Sequence, residues 1–422
     1  MKYFSLNSKF VLMQAKLKQN GVTVAMRVIQ LHLIKINQFI AMSTFRNIYV
    51  TFKVTLKCNL ACQYCYGRDN HAQGSEMSDE EIQRGIQFVC KYASIVGAKS
   101  LTICWHGGEP LLLAKKLPDI IEYANELFSK NGIKITHGIQ TNAILLKPNT
   151  YELIKKYFDR FVGVSIDLFS KYRTFPSGKD STSIAINNID NALASGIRCG
   201  AINLITKDNL NRIDDIYDFY KKRTMNVRIS RVFPINHSDT LSSSMYISDE
   251  EYAEAMIHFF DRWANDTNPA NNTDIVKLIA DLLLGVPSLC LREANCHNRY
   301  MALSPGGDIF SCAEFDVPES VIGNFLTQTP EDFVKYNTRE KIAAMAPIPE
   351  ECFQCKFMPT CNGGCFRERF MLGYPYRCKS NIMYWNHVLK WIESKGGKLY
   401  ILKGKSVEEK KAIINKILNM NT

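Results

Sequence analysis

No aspartate or glutamate occurs in residues 1–57, and no cysteine precedes residue 58. Nine lysines or arginines fall in the same stretch, so the front of this 422-residue chain is purely basic. Its apolar segment, VTVAMRVIQLHLIKINQFIAM (22–42), is interrupted by Arg27, His32 and Lys35. It therefore lacks the roughly 18 uncharged apolar residues in a row that a membrane span needs. No small-residue cleavage site follows it, which argues against a secretion signal. No segment is disordered by composition, since hydrophobic residues make up 46% and charged residues 22% of the chain. No repeat at solenoid spacing is present. No nucleic-acid-binding module is visible either, and a basic lead alone is weak ground for RNA modification. Three readings of the lead stay open: a basic helix packed on the domain, a membrane-surface or peptide-docking helix, or an overextended start. In the last case Met42 opens the domain with MSTFRNIYVTFKVTLKCNL.

What the chain has in excess is positive charge and cysteine. The formal net charge of +11 favours an anionic partner without naming one. Fourteen cysteines are too many for packing alone in a chain too long to need disulfide staples. Their uneven clustering points to metal or redox chemistry in a reducing compartment, and the expected location is the cytoplasm.

Along the chain, NIYVTFKVTL (47–56) alternates with β-branched and aromatic residues and predicts a strand. Ser78, with Glu81 three residues on, predicts a capping box opening a helix. Strands are expected at 101–105, 133–140, 161–166, 197–205 and 227–233. Helices are expected at 113–130, 149–158, 182–195 and 209–223. Six alternations imply a parallel sheet, open or curled into an incomplete barrel, with functional residues at the C-terminal strand ends. The first cysteine group, HGGEP, QTN and SID all fall at such ends. Helices at 249–264 and near 273–285 follow; beyond 290 cysteine, glycine and proline replace periodicity, as in a metal-held region. Residues 380–420 read as helical and basic.

The stretch CNLACQYCYG (58–67) sets Cys58, Cys62 and Cys65 in C-x3-C-x2-C spacing. Three thiolates on one loop can hold an iron–sulfur cubane with one iron left open. Zinc would need a fourth ligand such as His71. Eight further cysteines, Cys290, Cys296, Cys312, Cys352, Cys355, Cys361, Cys365 and Cys378, suffice for two fully ligated clusters or for two structural zincs. The remaining Cys90, Cys104 and Cys199 lie in apolar runs and read as core residues.

The CxxxCxxC loop, followed by HGGEP (106–110), QTN (140–142) and VSID (164–167), resembles the radical S-adenosylmethionine (SAM) superfamily. CFQCKFMPTCNGGC (352–365) resembles the SPASM extension of members that mature peptides and proteins. The resemblance covers about residues 47–380. It implies an α/β fold: a partial (β/α)6 barrel with a C-terminal cysteine-rich iron–sulfur domain. The implied boundaries are a basic extension (1–46), the barrel (47–245), a helical bridge (246–289), the SPASM domain (290–380) and a basic helical tail (381–422).

The resemblance also implies the cofactors, SAM and three [4Fe–4S] clusters. Cys58, Cys62 and Cys65 would hold the SAM-binding cluster; Cys290, Cys296, Cys312 and Cys365 one auxiliary cluster; Cys352, Cys355, Cys361 and Cys378 the other. A radical oxidase needs an electron exit, which favours iron–sulfur over zinc at the auxiliary sites. Gly107 and Gly108 would permit close backbone approach, Glu109 would accept from the methionine ammonium, and Pro110 would fix the turn. Ser165 and Arg173 are candidates for the methionine carboxylate, Tyr64 for a backbone contact to adenine, and Asn142 for the pocket floor. Asp167 and His106 are candidate pocket residues near ribose or substrate.

The implied reaction is hydrogen abstraction and net two-electron oxidation of a ribosomal precursor peptide, forming a cyclophane carbon–carbon or thioether crosslink. Implied partners are that peptide, an electron donor such as flavodoxin or ferredoxin, and a separate leader-binding protein; nucleic acid is not expected. The alternatives are anaerobic sulfatase maturation, which oxidises cysteine or serine to formylglycine, and peptide epimerisation. Sulfatase activators place an aspartate base after the third auxiliary cysteine, where this chain has Ala313; Glu314 and Asp316 are the substitutes at hand.

Overall fold

The computed structural model describes residues 47–67, 74–234, 245–293, 296–336, 338–406 and 409. The basic lead with its three readings, His71 and the last residues of the tail lie outside them.

Strand β1 (Asn47–Thr55) forms because its two faces differ: Ile48, Val50, Phe52 and Val54 are all buried on one side. Helix α1 (Asp79–Ile95) starts at Ser78, whose hydroxyl accepts from the Glu81 N–H while the Glu81 carboxylate accepts from the Ser78 N–H. The expected capping box is therefore present. Then β2 (Ser100–Gly107), α2 (Leu117–Lys130), β3 (Lys134–Thr141), α3 (Pro148–Tyr157) and β4 (Phe161–Ser165) follow. After these come α4 (Thr182–Ala194), β5 (Arg198–Ile205), α5 (Ile213–Lys222) and β6 (Asn226–Arg231). Strands β1 to β6 pair in sequence order and all in parallel. Their C-terminal ends therefore share one edge.

The sheet does not stop at β1. Its order is β6-β5-β4-β3-β2-β1-β7-β8-β9. Strand β7 (Tyr300–Leu303) runs parallel to β1, and β8 (Asp308–Phe310) and β9 (Val321–Asn324) complete an antiparallel meander. These strands are three or four residues long, so the sequence carries too few alternations to announce them. The result is a mixed sheet with flanking helices, a partial (β/α) barrel, followed by a cysteine-rich C-terminal region. That region is stitched to the barrel through the sheet itself.

Helices α6 (Asp249–Asn265), α7 (Thr273–Leu284) and α8 (Cys378–Ser394) pack together beside β6. Phe260 anchors the contact with edge-on rings from Tyr384, His387 and Trp391. Among the described residues no helix is long and apolar enough to cross a membrane.

Candidate active site

The loop after β1 carries Cys58, Cys62 and Cys65. It is held from below by the segment that follows β4: Ala61 N–H donates to the Thr174 carbonyl at 2.7 Å and Gln63 N–H to the Tyr172 carbonyl at 3.0 Å. Those two bonds bracket Arg173 and fix its register. Arg173 is buried, donates to the Tyr64 hydroxyl at 3.1 Å and lies 3.9 Å from Asp167. A surface position for Arg173 is therefore excluded. The Tyr64 hydroxyl also donates to Asp167, so its ring belongs to this buried network. Asp167 accepts the Leu204 N–H at 2.8 Å, and burial pushes its carboxyl up to about 6 against the opposing pull of Arg173.

The three thiols act on one another electrostatically. Burial pushes Cys58 up to about 12 and raises Cys62 and Cys65. Unassisted, none of them favours the thiolate; a bound cation reverses that preference. Asn142 ties the same loop to the end of β3, with its amide 3.7 Å from Cys58 Sγ and 2.7 Å from Asn59 Oδ1.

The turn after β2 approaches this loop closely. Gly108 N–H donates to the Thr55 carbonyl at 2.8 Å and Glu109 N–H to the Lys57 carbonyl at 2.9 Å. A Cβ on Gly107, whose φ is 123°, would stand 2.1 Å from the Thr55 oxygen, and one on Gly108 would stand 2.1 Å from the Lys57 oxygen. The expected close approach is thus realised first against the chain's own backbone. Glu109 is fully buried; it accepts from Leu111 N–H at 2.9 Å, Thr141 Oγ1 at 2.8 Å and Asn142 N–H at 2.8 Å. That fills three of about four acceptor sites on the carboxylate. Pro110 begins the short helical turn that follows. Ser165 accepts from the Gln140 amide at 2.9 Å.

A second group of polar side chains adjoins the loop. His106 Nδ1 accepts the Gly107 N–H at 2.7 Å, which leaves the hydrogen of a neutral ring on Nε2. Burial, reinforced by Lys53, pushes this imidazole down to about 4. Lys53 is 1% exposed and pairs with Asp316 at 2.9 Å, so Asp316 is engaged before any substrate arrives. Glu314 pairs with Arg367. Its side chain is 56% exposed. Arg367, Arg377 and Arg228 hold its carboxyl below the usual range against the cost of desolvation.

Sequence reasoning missed Lys53 and gave no role to Gln140. A lysine on the otherwise uncharged face of β1, five residues before Cys58, was the available signal for the first. The second opens the QTN motif.

The C-terminal thiols act on one another electrostatically as well. After burial, the strongest influences on Cys296 are Cys365, Cys312 and Cys290. Those on Cys361 include Cys378, Cys352 and Cys355. Among the described residues no group of three His, Cys, Asp or Glu side chains is set to hold a single metal ion. Cys90 and Cys199 are buried and Cys104 is half-buried.

Residues 52–220 match the family described as the Radical SAM superfamily. The serine-type anaerobic sulfatase-maturating enzyme of Bacteroides thetaiotaomicron is 27% identical over 385 residues, covering 82% of this chain and 90% of that protein. Native anSMEcpe with bound AdoMet and the Cp18Cys peptide superposes with a TM-score of 0.70 at 19% identity, covering 89% of this chain and 99% of that one. Streptococcus suis SuiB bound to precursor peptide SuiA gives 0.57 at 16% identity, covering 78% and 74%.

Proposed function

We propose that the chain is a radical SAM enzyme with a SPASM-like C-terminal region that oxidises a side chain of a peptide or protein substrate, forming formylglycine from serine or cysteine. The observation that carries this reading is the likeness to a serine-type sulfatase-maturating enzyme, which runs through both the barrel and the cysteine-rich region. Sequence reading alone put crosslink formation first, because Ala313 replaces the expected aspartate. The comparisons favour the sulfatase-type reaction, and Glu314 supplies a carboxylate one residue further on.

The donor sets fit the cofactors that this architecture implies. Three thiols share one loop beside the glycine turn; of the other eight, Cys290, Cys312 and Cys365 act on Cys296, and Cys352, Cys355 and Cys378 act on Cys361. In our reading Cys58, Cys62 and Cys65 hold one [4Fe–4S] cluster. Cys290, Cys296, Cys312 and Cys365 hold a second, and Cys352, Cys355, Cys361 and Cys378 a third. When bound, SAM and its cluster supply a hydrogen-abstracting radical and the auxiliary clusters an electron acceptor.

The chain's own residues hold and orient. Arg173, buried against the cysteine loop, suits the methionine carboxylate; Gln140 orients the Ser165 hydroxyl toward the same end of the sheet. Glu109 braces the glycine turn and keeps one acceptor site for an ammonium. Converting –CH2OH to –CHO removes one hydrogen atom, one proton and one electron. Glu314, its carboxyl held below the usual range by Arg367, Arg377 and Arg228, is ionised at neutral pH and is the carboxylate offered to take the proton. His106, neutral with its hydrogen on Nε2, can donate to a substrate oxygen. Asp316, paired with Lys53 as Glu314 is with Arg367, is the second carboxylate at hand.

The test is anaerobic incubation of the iron-loaded protein with SAM, a reductant and matched serine and cysteine forms of a sulfatase-derived peptide. An aldehyde trapped by a hydrazide supports formylglycine formation. A crosslinked product from a short precursor peptide, with no aldehyde from the sulfatase peptides, supports the second reading, which the missing aspartate favours.

A further inference from the structure

The link Cys361-Asn362-Gly363-Gly364-Cys365 joins the two sets of auxiliary thiols, since Cys361 belongs to one and Cys365 to the other. Gly363 and Gly364 both have positive φ, 78° and 76°. One side chain grips both. Arg369 donates through NH1 to the Gly363 oxygen at 2.9 Å and the Gly364 oxygen at 2.8 Å, and through Nε to the Ala346 oxygen at 3.1 Å. Its side chain is buried, at 3% exposure.

Neutral donors would satisfy three carbonyls equally well, so the hydrogen bonds alone do not explain a buried cation. Taking an unopposed charge out of water is expensive, and a buried guanidinium implies negative charge nearby. After burial, the strongest influences on Arg369 are Cys365 and Cys296 from one set and Cys352 and Cys361 from the other. The guanidinium thus grips the link that joins Cys361 to Cys365 and feels thiols of both sets.

We infer that Arg369 is a positioning residue shared by the two auxiliary iron–sulfur sites, and that its fixed positive charge raises the reduction potential of both. The inference rests on the reading that the eight C-terminal thiols hold two [4Fe–4S] clusters. A cubane with four thiolate ligands is anionic, and each added electron makes it more so. Net charge and nearby hydrogen bonds are among the factors that set such potentials. A cation that acts on both sets would stabilise the reduced form of either cluster and weaken the repulsion between two reduced clusters. The clamp and the charge serve one end: the same guanidinium fixes the link between the sets and biases them to accept an electron from the substrate side.

The experiment is a redox titration, followed by electron paramagnetic resonance, of the full-length iron-loaded protein and its Arg369→Gln and Arg369→Lys variants. Iron content is measured first. If the parent protein binds iron only at the N-terminal loop, the cluster reading fails and this inference falls with it. With all sites loaded, Arg369→Gln is expected to shift both auxiliary midpoints to lower potential. Arg369→Lys should recover at least half of that shift, and the cluster at Cys58, Cys62 and Cys65 should serve as an unmoved internal control. Unchanged auxiliary potentials in Arg369→Gln overturn the inference. So does an equal shift in both variants, because that assigns the effect to the lost fork of hydrogen bonds. If Arg369→Gln does not load, Arg369→Lys decides: loading with near-parental potentials supports a charge role, and failure to load overturns it in favour of a purely structural clamp.

Discussion

The Glu109 carboxylate accepts the backbone N–H of Asn142 at 2.8 Å and so pins the turn after β2 to the turn after β3. Thr141 donates to the other oxygen of the same group. Glu109→Gln turns one acceptor into a donor that faces a backbone N–H. The expected loss is about 2 kcal/mol of stability, from leaving buried partners unsatisfied. Denaturant unfolding checks it, and SAM affinity should fall in the same variant.

Gly108→Ala puts a methyl group against backbone, not against a movable side chain: Lys57 O at 2.1 Å, Lys57 C at 2.5 Å and Leu56 O at 2.6 Å. The turn must move away from the cysteine loop. We expect a cost of about 3 kcal/mol and impaired iron loading at Cys58, Cys62 and Cys65. The C-terminal sites should load normally, which iron analysis and spectroscopy would show.

His137 makes the fold acid-sensitive. Its Nδ1 accepts from Trp105 Nε1 at 3.3 Å and its Nε2 lies 3.0 Å from Asn125 Oδ1, an arrangement that suits the neutral ring. Burial pushes it down from 6.5 to about 4. The folded-state value is the lower one, so the unfolded chain binds the extra proton first. Stability is full above about 6.5 and declines as pH falls to about 4, by on the order of 3 kcal/mol at most. His137→Gln should flatten stability measured against pH across that window.

The two auxiliary sets predict separable losses. Cys296→Ala and Cys365→Ala should each remove about four irons, and the double variant no more than either alone. Cys296→Ala combined with Cys361→Ala should remove about eight. Iron counting on reconstituted protein distinguishes the two patterns.

Much of the barrel was legible because each strand or helix announces itself within its own residues. Alternation in NIYVTFKVT and the Ser78/Glu81 cap need no distant partner. The motifs could be read because glycine and cysteine restrict backbone and ligand chemistry at fixed spacing. The place of Arg173 was not legible. It depends on backbone bonds from Ala61 and Gln63 to a segment more than a hundred residues away. Lys53 and Asp316 are 263 residues apart, and no local pattern pairs them. Strands β7 to β9 escaped for the opposite reason: they are too short to show a period, and pairing of β7 with β1, β8 with β7 and β9 with β8 supplies what propensity does not.

The most direct test of the account is reductive cleavage of SAM by anaerobically loaded protein, compared with a Cys58→Ala, Cys62→Ala, Cys65→Ala triple variant whose C-terminal iron is retained. The account predicts 5′-deoxyadenosine from the parent protein and none from the variant. Equal 5′-deoxyadenosine from both, or none from a fully loaded parent, would contradict it.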